Sequence, residues 1–479
     1  MLGEVLFYPY PKVIYMSSTR KGYFDFSYLP VIFTLAWPTM LEEILSTAVQ
    51  YIDTATVGSL GTKATAAVGS TSTVSWLVYS TVYALGVGFL AYISQARGRG
   101  DYDRAKKAVM QAVITSAVMG TIFTVAILSV SGLVPVWMNV DEDIRELASR
   151  YFFVLYLPML PRTANMILGT VLRASGDTKT PMRVGLAMNA INLILNMILI
   201  KPTRVISILG REITVFGAGM GVIGAAAASA VSFLYGGIAI TVSIFRHEEI
   251  SPKGLPVRID WEIMGPCLKT AIPNMFQRFG SSLGYVVFAS MINSLGEIST
   301  AAHTIANTVE SAFYIPGFGM MAAAATLTGN AIGAGDKERL HKVSRMTILC
   351  EVLMMVFTGS LLFIFAPKMV AIFSKDMAVI TLCTTVLRMV ACSEPFFGVS
   401  NVLEGMLQGA GDTRFSFAVN IIAIWTVRIL GTFICTRILG LGLESAWGCM
   451  IAHNMTTFIC YTIYYRSGKW AHPISEEAS

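Results

Sequence analysis

The sequence predicts an all-α integral membrane protein of twelve transmembrane helices in two six-helix lobes. Three observations carry this: apolar runs of membrane-crossing length, an internal repeat, and one-sided basic loops. The 479 residues are 54% hydrophobic and only 13% charged, against about 25% charged in a soluble domain. The charges are also clustered. Ile114–Val130, Val184–Ile200, Gly221–Phe245 and Ile348–Phe365 lie between the clusters as runs near the length a bilayer requires of a helix.

Twelve spans follow, roughly 29–52, 66–94, 106–130, 145–168, 181–201, 217–245, 264–293, 299–329, 342–366, 378–406, 415–438 and 442–465. Backbone groups in lipid must bond within the segment, and no stretch alternates like a barrel strand, so helices are the expected form. The expected organisation is an N-terminal segment (1–28), an N-lobe (29–245), a linker (246–263), a C-lobe (264–466) and a tail (467–479). With the N-terminus cytoplasmic, the inner segments hold 21 Lys and Arg and the outer loops seven. Both ends are therefore expected inside, in a plasma (cytoplasmic, or inner) membrane. Topology accounts for the net charge of +6 and leaves no reason to invoke nucleic acid.

The start lacks the basic, apolar and small-residue order of a cleavable signal. Met16 opens a more ordinary basic leader, so residues 1–15 are a candidate upstream start. The seven cysteines, all between Cys267 and Cys460, have no metal spacing and read as packing residues.

The chain repeats itself at an offset of 235. Pro38 falls on Pro273, Ser59-Leu60-Gly61 on Ser294-Leu295-Gly296, and Gly176-Asp177-Thr178 on Gly411-Asp412-Thr413. The segments 95–107 and 330–342 share six identities in thirteen, where chance gives roughly one. Later, Gly219-Met220-Gly221 pairs with Gly440-Leu441-Gly442 at an offset of 221, which leaves about fourteen extra residues in the first half's outer loop near 201–214. Six spans per half put the halves in parallel, related by a pseudo-two-fold along the membrane normal, and enclosing a cleft that rocking opens to alternate sides. The GDT phrases fall in inner turns that suit a helix cap, with Pro181 in a first turn.

From about Leu35 onward the chain resembles the multidrug and toxic compound extrusion (MATE) family of the MOP flippase superfamily. The resemblance rests on LAWPTMLEEILSTAVQYIDTATVGSLG (35–61), the GRGDYDRA and GAGDKERL loops, both GDT turns, INLILN…GVIGAAAAS (191–229) and AAHTIANTVESAFYIPGFG (301–319). It implies a secondary antiporter that exports organic, often cationic compounds against an inward proton or sodium gradient.

Asp53 is the first candidate for the coupling ion. A carboxylate deep in a span is costly unless it serves a cavity or a partner, and the resemblance places the family's first-helix aspartate here. The plain alternative is an interfacial Asp paired with the outer loop. Its repeat position is Phe288. Asn189, Asn192 and Asn196 form a polar stripe at i, i+3 and i+7, either an oxygen-rich wall for Asp53 or interhelical bonding. Many relatives carry aspartate at the position of Asn196, so this chain holds one anion fewer there. Ser229, where relatives usually have threonine, supplies a further oxygen. The coupling set is thus Asp53, Asn192, Asn196 and Ser229, with Na+ at Asp53 as the one candidate metal.

Secondary ionisable or cleft candidates are Glu42, Glu43, Asn189, Arg278, His303 and Glu310. Glu42 lies three turns from Asp53 on nearly one face. Glu43 lies opposite Arg278 in the repeat register and is a candidate ion-pair partner for it. Glu310 and His303 share a face, either as a substrate or proton site or as a buried pair with Arg278, Arg388 or Arg428. Glu351 and Glu394 read as less central, and Glu404 as solvated. Pro38, Pro158, Pro161, Pro273, Pro316 and Pro395 are hinge or packing-kink positions.

GMGVIG (219–224) and GSSLG (280–284) match enzyme motifs without the strand context those motifs need, and small-residue helix contacts explain both. No HExxH, Walker A or zinc cluster occurs. A polytopic enzyme is accordingly disfavoured, no cofactor is expected beyond H+ or Na+, and a monomer is expected. A flippase for a lipid-linked substrate is the nearest alternative within the superfamily.

Overall fold

The computed structural model describes residues 24–138, 140–208 and 211–474. The proposed upstream start (1–15) and most of the N-terminal segment lie outside the described residues. The N-lobe holds α1 (Leu29–Gly58), α2 (Thr62–Gly98), α3 (Tyr102–Val130), a single turn α4 (Val134–Trp137), α5 (Glu142–Tyr156), α6 (Met159–Ala174), α7 (Lys179–Leu199) and α8 (Gly221–Arg246). The C-lobe holds α9 (Trp261–Asn293), α10 (Glu297–Gly333), α11 (Lys337–Phe373), α12 (Met377–Ala391), α13 (Glu394–Ala410), α14 (Thr413–Ile422), the turn α15 (Gly431–Phe433) and α16 (Leu443–Ser467). Among the described residues, seven helical stretches include an 18-residue window apolar enough to cross a membrane, and the bent pair α12–α13 raises this to eight.

Three expected spans differ from single straight helices. The fourth is broken at Leu157-Pro158 into α5 and α6, because Pro158 cannot donate to the preceding turn. The tenth is α12 and α13, bent by 52° where Pro395 sits in the first turn of α13. The eleventh widens into π-helical turns over Ala423–Leu430 and Ile434–Ile438 on either side of α15. Pro38, Pro273 and Pro316 lie inside continuous helices.

The expected outer loop near 201–214 is a hairpin, β1 (Pro202–Ile208) antiparallel to β2 (Arg211–Ala218), with Ile206 opposite Ile213. Its segments are rich in β-branched residues, which favour extended backbone once outside the bilayer.

The turns after α2, α6, α8, α10 and α13 share one side of the bundle, here called the basic face. The two lobes meet there with reciprocal contacts. A Cβ on Gly98 would stand 2.1 Å from the carbonyl oxygen of Asn330, and one on Gly333 would stand 2.0 Å from that of Gln95. These are repeat positions of each other, so α2 and α10 cross at the pseudo-two-fold as the two sides of an isologous interface do. Gln95 donates to the carbonyls of Gly409 (3.1 Å) and Ala410 (3.0 Å), and Thr326 donates to that of Arg173 (3.1 Å). Away from the basic face, Tyr51 of α1 reaches Ser311 of α10 at 2.9 Å.

The segment between α8 and α9 is seated on the N-lobe. Gln111 donates to the carbonyl of Arg258 and accepts from the amide of Asp260, Arg97 pairs with Glu249 at 2.6 Å, and Ile250 is buried in the N-lobe core.

Candidate functional site

Helices α1, α7 and α8 build the site. α1 and α7 run parallel, and polar contacts climb between them from the basic face. Thr178 donates to the carbonyl of Thr34 and Asn189 to Ser46 at 3.5 Å; two turns on, Asn196 donates to Asp53 at 2.5 Å. A seven-residue step from Ser46 to Asp53 and from Asn189 to Asn196 keeps the last two contacts on one seam.

Asn192 and Asn196 are buried, 6% and 3% exposed. The Asn196 amide donates to Asn192 Oδ1 at 2.9 Å, and Asn192 bonds Ser229 of α8 at 3.1 Å. Turning the Asn192 amide end for end lets it donate to Asp53 Oδ1 and Oδ2 at 3.0 and 3.1 Å, while Ser229 donates to it at 3.1 Å. Asn196 Oδ1 is buried with no partner among the described residues. The carboxylate, that unpartnered amide oxygen and the Ser229 hydroxyl form an oxygen-rich cluster with one negative charge, suited to a proton or a small hard cation. The four residues expected to couple the ion are therefore linked in one chain of contacts, Asp53–Asn196–Asn192–Ser229. Asn189 is not among them: it faces Ser46.

The corresponding place in the C-lobe is chemically reversed. Phe288, Val427 and Gly431 occupy the repeat positions of Asp53, Asn192 and Asn196, and Met450 that of Ser229. Arg428, 4% exposed, stacks on the Phe288 ring at 4.4 Å and the Tyr285 ring at 4.6 Å. The N-lobe has a carboxylate here and the C-lobe a guanidinium.

Several secondary expectations are corrected. Glu43 forms no ion pair among the described residues; Arg278 instead lies over Tyr83 at 4.8 Å and donates to Asn274 at 3.4 Å. Glu42 pairs with Arg173 at 2.8 Å, both side chains largely buried. That partner was legible only in three dimensions, since Arg173 reads in sequence as part of an inner basic turn. His303 is held by Asn307 (2.9 Å) and by the Trp447 indole N–H (3.3 Å), not by Glu310. Glu310 is buried with no ion pair to Arg278, Arg388 or Arg428 among the described residues. Arg388 instead donates to the carbonyl of Phe363.

Glu404 is half-buried and bonded within the protein: Gln277 and Gln408 donate to its Oε1 at 3.0 and 3.2 Å. Glu351 and Glu394 are 0% and 1% exposed, and neither Glu351 oxygen has a partner among the described residues. Gly317 and Gly398 leave room for that carboxyl, since a Cβ on either would lie within 2.9 Å of its Oε1. Buried intramembrane carboxyls are expensive, so this cluster is more prominent than its sequence position suggested.

The family model described as MatE matches residues 38–198 and again 273–434, two blocks whose starts differ by the repeat offset. The chain belongs to the MATE family. MATE proteins are membrane transporters, not enzymes. A probable multidrug resistance protein NorM of Thermotoga maritima is 29% identical over 437 residues, covering 91% of this chain and 92% of its own. A probable multidrug resistance protein YpnP of Bacillus subtilis is 25% identical over 92% of this chain and 95% of its own. The human multidrug and toxin extrusion protein 1 is 25% identical over 69% of this chain and 55% of its own. Among solved structures, MATE in complex with MaL6 superposes with a TM-score of 0.84 at 22% identity over 91% of this chain and 95% of its own. An outward-facing MATE transporter of the MOP superfamily superposes with 0.81 at 22% identity, over 91% and 94%. These likenesses agree with a twelve-helix, two-lobe MATE fold.

Proposed function

We propose that the chain is a secondary antiporter that exports organic, cationic and amphiphilic compounds across the plasma membrane in exchange for H+ or Na+ taken up at Asp53. The observation that carries this is the Asp53 carboxylate in contact with Asn196, with Asn192 and Ser229 beside it, in one lobe only. An ion that binds this cluster more tightly in one arrangement of the lobes shifts the balance between them by that difference in affinity. Asn192 and Asn196 orient the carboxylate, and Ser229 completes the oxygen set. The basic face, where the lobes are pressed together, is the cytoplasmic side by its Lys and Arg content, and the chain enters α1 and leaves α16 on that side. The relatives named as multidrug resistance proteins support the substrate class.

The test is dye efflux from reconstituted vesicles under separate sodium and pH gradients, for wild type and Asp53→Asn. The wild type should export a cationic dye under one gradient, and the variant, which carries no charge at this position, should lose at least 90% of that flux (about 1.4 kcal/mol or more of coupling). Unchanged flux in the variant removes Asp53 from the mechanism. Absence of efflux for any cationic dye by wild type moves the reading to a flippase.

A further inference from the structure

On the basic face of the C-lobe, a cavity of about 280 Å³ lies between the Gly411-Asp412 turn and the chain that follows α16. Lys269 of α9, Arg414 of α14, and Lys469 and His472 of the C-terminal segment line it. None of the three full cations has an ion pair among the described residues. Among the described residues Asp412 is the one carboxylate on the wall, and it accepts the Tyr464 hydroxyl at 2.5 Å. The two GDT turns differ here. In the first, Asp177 accepts from the amide of Thr180 at 3.0 Å and so caps α7; in the second, Asp412 makes no such bond and the first turn of α14 has no side-chain cap. The described wall therefore sets three full cations against one carboxylate.

Its outer wall is a strap across both lobes. Trp470 is 4% exposed, stacks on Tyr465, and donates to that residue's carbonyl at 3.0 Å. The Ile474 amide donates to Gln95 Oε1 at 3.0 Å, the same Gln95 whose amide holds Gly409 and Ala410, and the Ile474 side chain packs on the N-lobe core. The strap can keep this course only while the lobes stay together at this face.

We propose that this cavity binds a phosphate group, carried by an anionic phospholipid or free in solution, and that its occupant favours the state in which the strap holds the basic face closed. Phosphate matches a set of Lys and Arg beside a helix start that has no side-chain cap, and a ligand for one state only shifts the population toward it. The proposal requires neither Asp53 nor any particular coupling ion.

The full chain in dodecyl maltoside micelles is titrated with phosphatidylglycerol, and separately with inorganic phosphate against chloride of equal ionic strength, while its thermal unfolding midpoint is followed. At least one probe should raise the midpoint. Lys269→Gln/Arg414→Gln/Lys469→Gln should need at least tenfold more of that probe for a half-maximal rise, and Lys106→Gln/Lys107→Gln/Lys253→Gln less than twofold more. A rise with phosphatidylglycerol alone assigns the site to lipid; a rise with inorganic phosphate shows that the bare group suffices. The site is overturned if neither probe moves the wild type, or if both triple variants lose the response equally. In the same samples the effective probe should lower maleimide labelling of Ser94→Cys, at the lobe contact, at least threefold; unchanged labelling overturns the coupling to closure.

Discussion

The Glu42–Arg173 pair gives the most quantitative prediction. At 2.8 Å, with side chains 17% and 13% exposed, two unit charges attract by about 6 kcal/mol at an effective dielectric of about 20. Desolvating both ions offsets most of this, so the intact pair contributes little net. Removing one partner leaves the desolvation without the attraction, and Glu42→Gln or Arg173→Gln alone should cost about 3–5 kcal/mol. The double variant copies the C-lobe, where the repeat positions are Gln277 and Gln408. It should recover most of the loss, giving a coupling of about 2–4 kcal/mol in a double-mutant cycle. Reversible unfolding in mixed dodecyl sulfate micelles measures it. Single variants costing under about 1 kcal/mol, or a double variant equal to the sum of the singles, would refute the claim that these ions depend on each other.

Three further outcomes are expected. Glu351→Gln removes a buried carboxyl with no partner among the described residues and should leave stability unchanged or raise it by about 1 kcal/mol; a loss above about 2 kcal/mol in the same unfolding assay would contradict this. Gly98→Val or Gly333→Val places side-chain atoms against Asn330 or Gln95 backbone and should force the lobes apart at the basic face. Maleimide labelling of Ser94→Cys should then rise severalfold, and unchanged labelling would show that the contact is not tight. Asn196→Ala leaves Asp53 without its 2.5 Å donor and should weaken gradient-driven dye efflux, with Asn189→Ala, whose partner is Ser46, affecting it little.

What the sequence determined is what depends on pattern along the chain. Apolar runs fix helices because lipid offers no other hydrogen-bond partners, and a constant offset fixes two equivalent lobes. The stripe of Asn192 and Asn196 was legible because one helical face repeats every three to four residues, while its contact with Asp53 was decided by packing. The partners across helices were not legible. Arg173 reaches Glu42, Glu404 gathers amides from α9 and α13, and Arg428 settles on Phe288 rather than on Glu310. Each depends on how far one helix slides and turns against another, which composition leaves open. The broken fourth and tenth spans show the same limit: Pro158 and Pro395 mark a break, but the 52° bend at the latter is set by what packs on both sides. Likewise the GDT turns are nearly identical as text, and only tertiary structure separates them, since a capped helix and an open cationic cavity follow from what Tyr464 and the C-terminal strap do around the second copy.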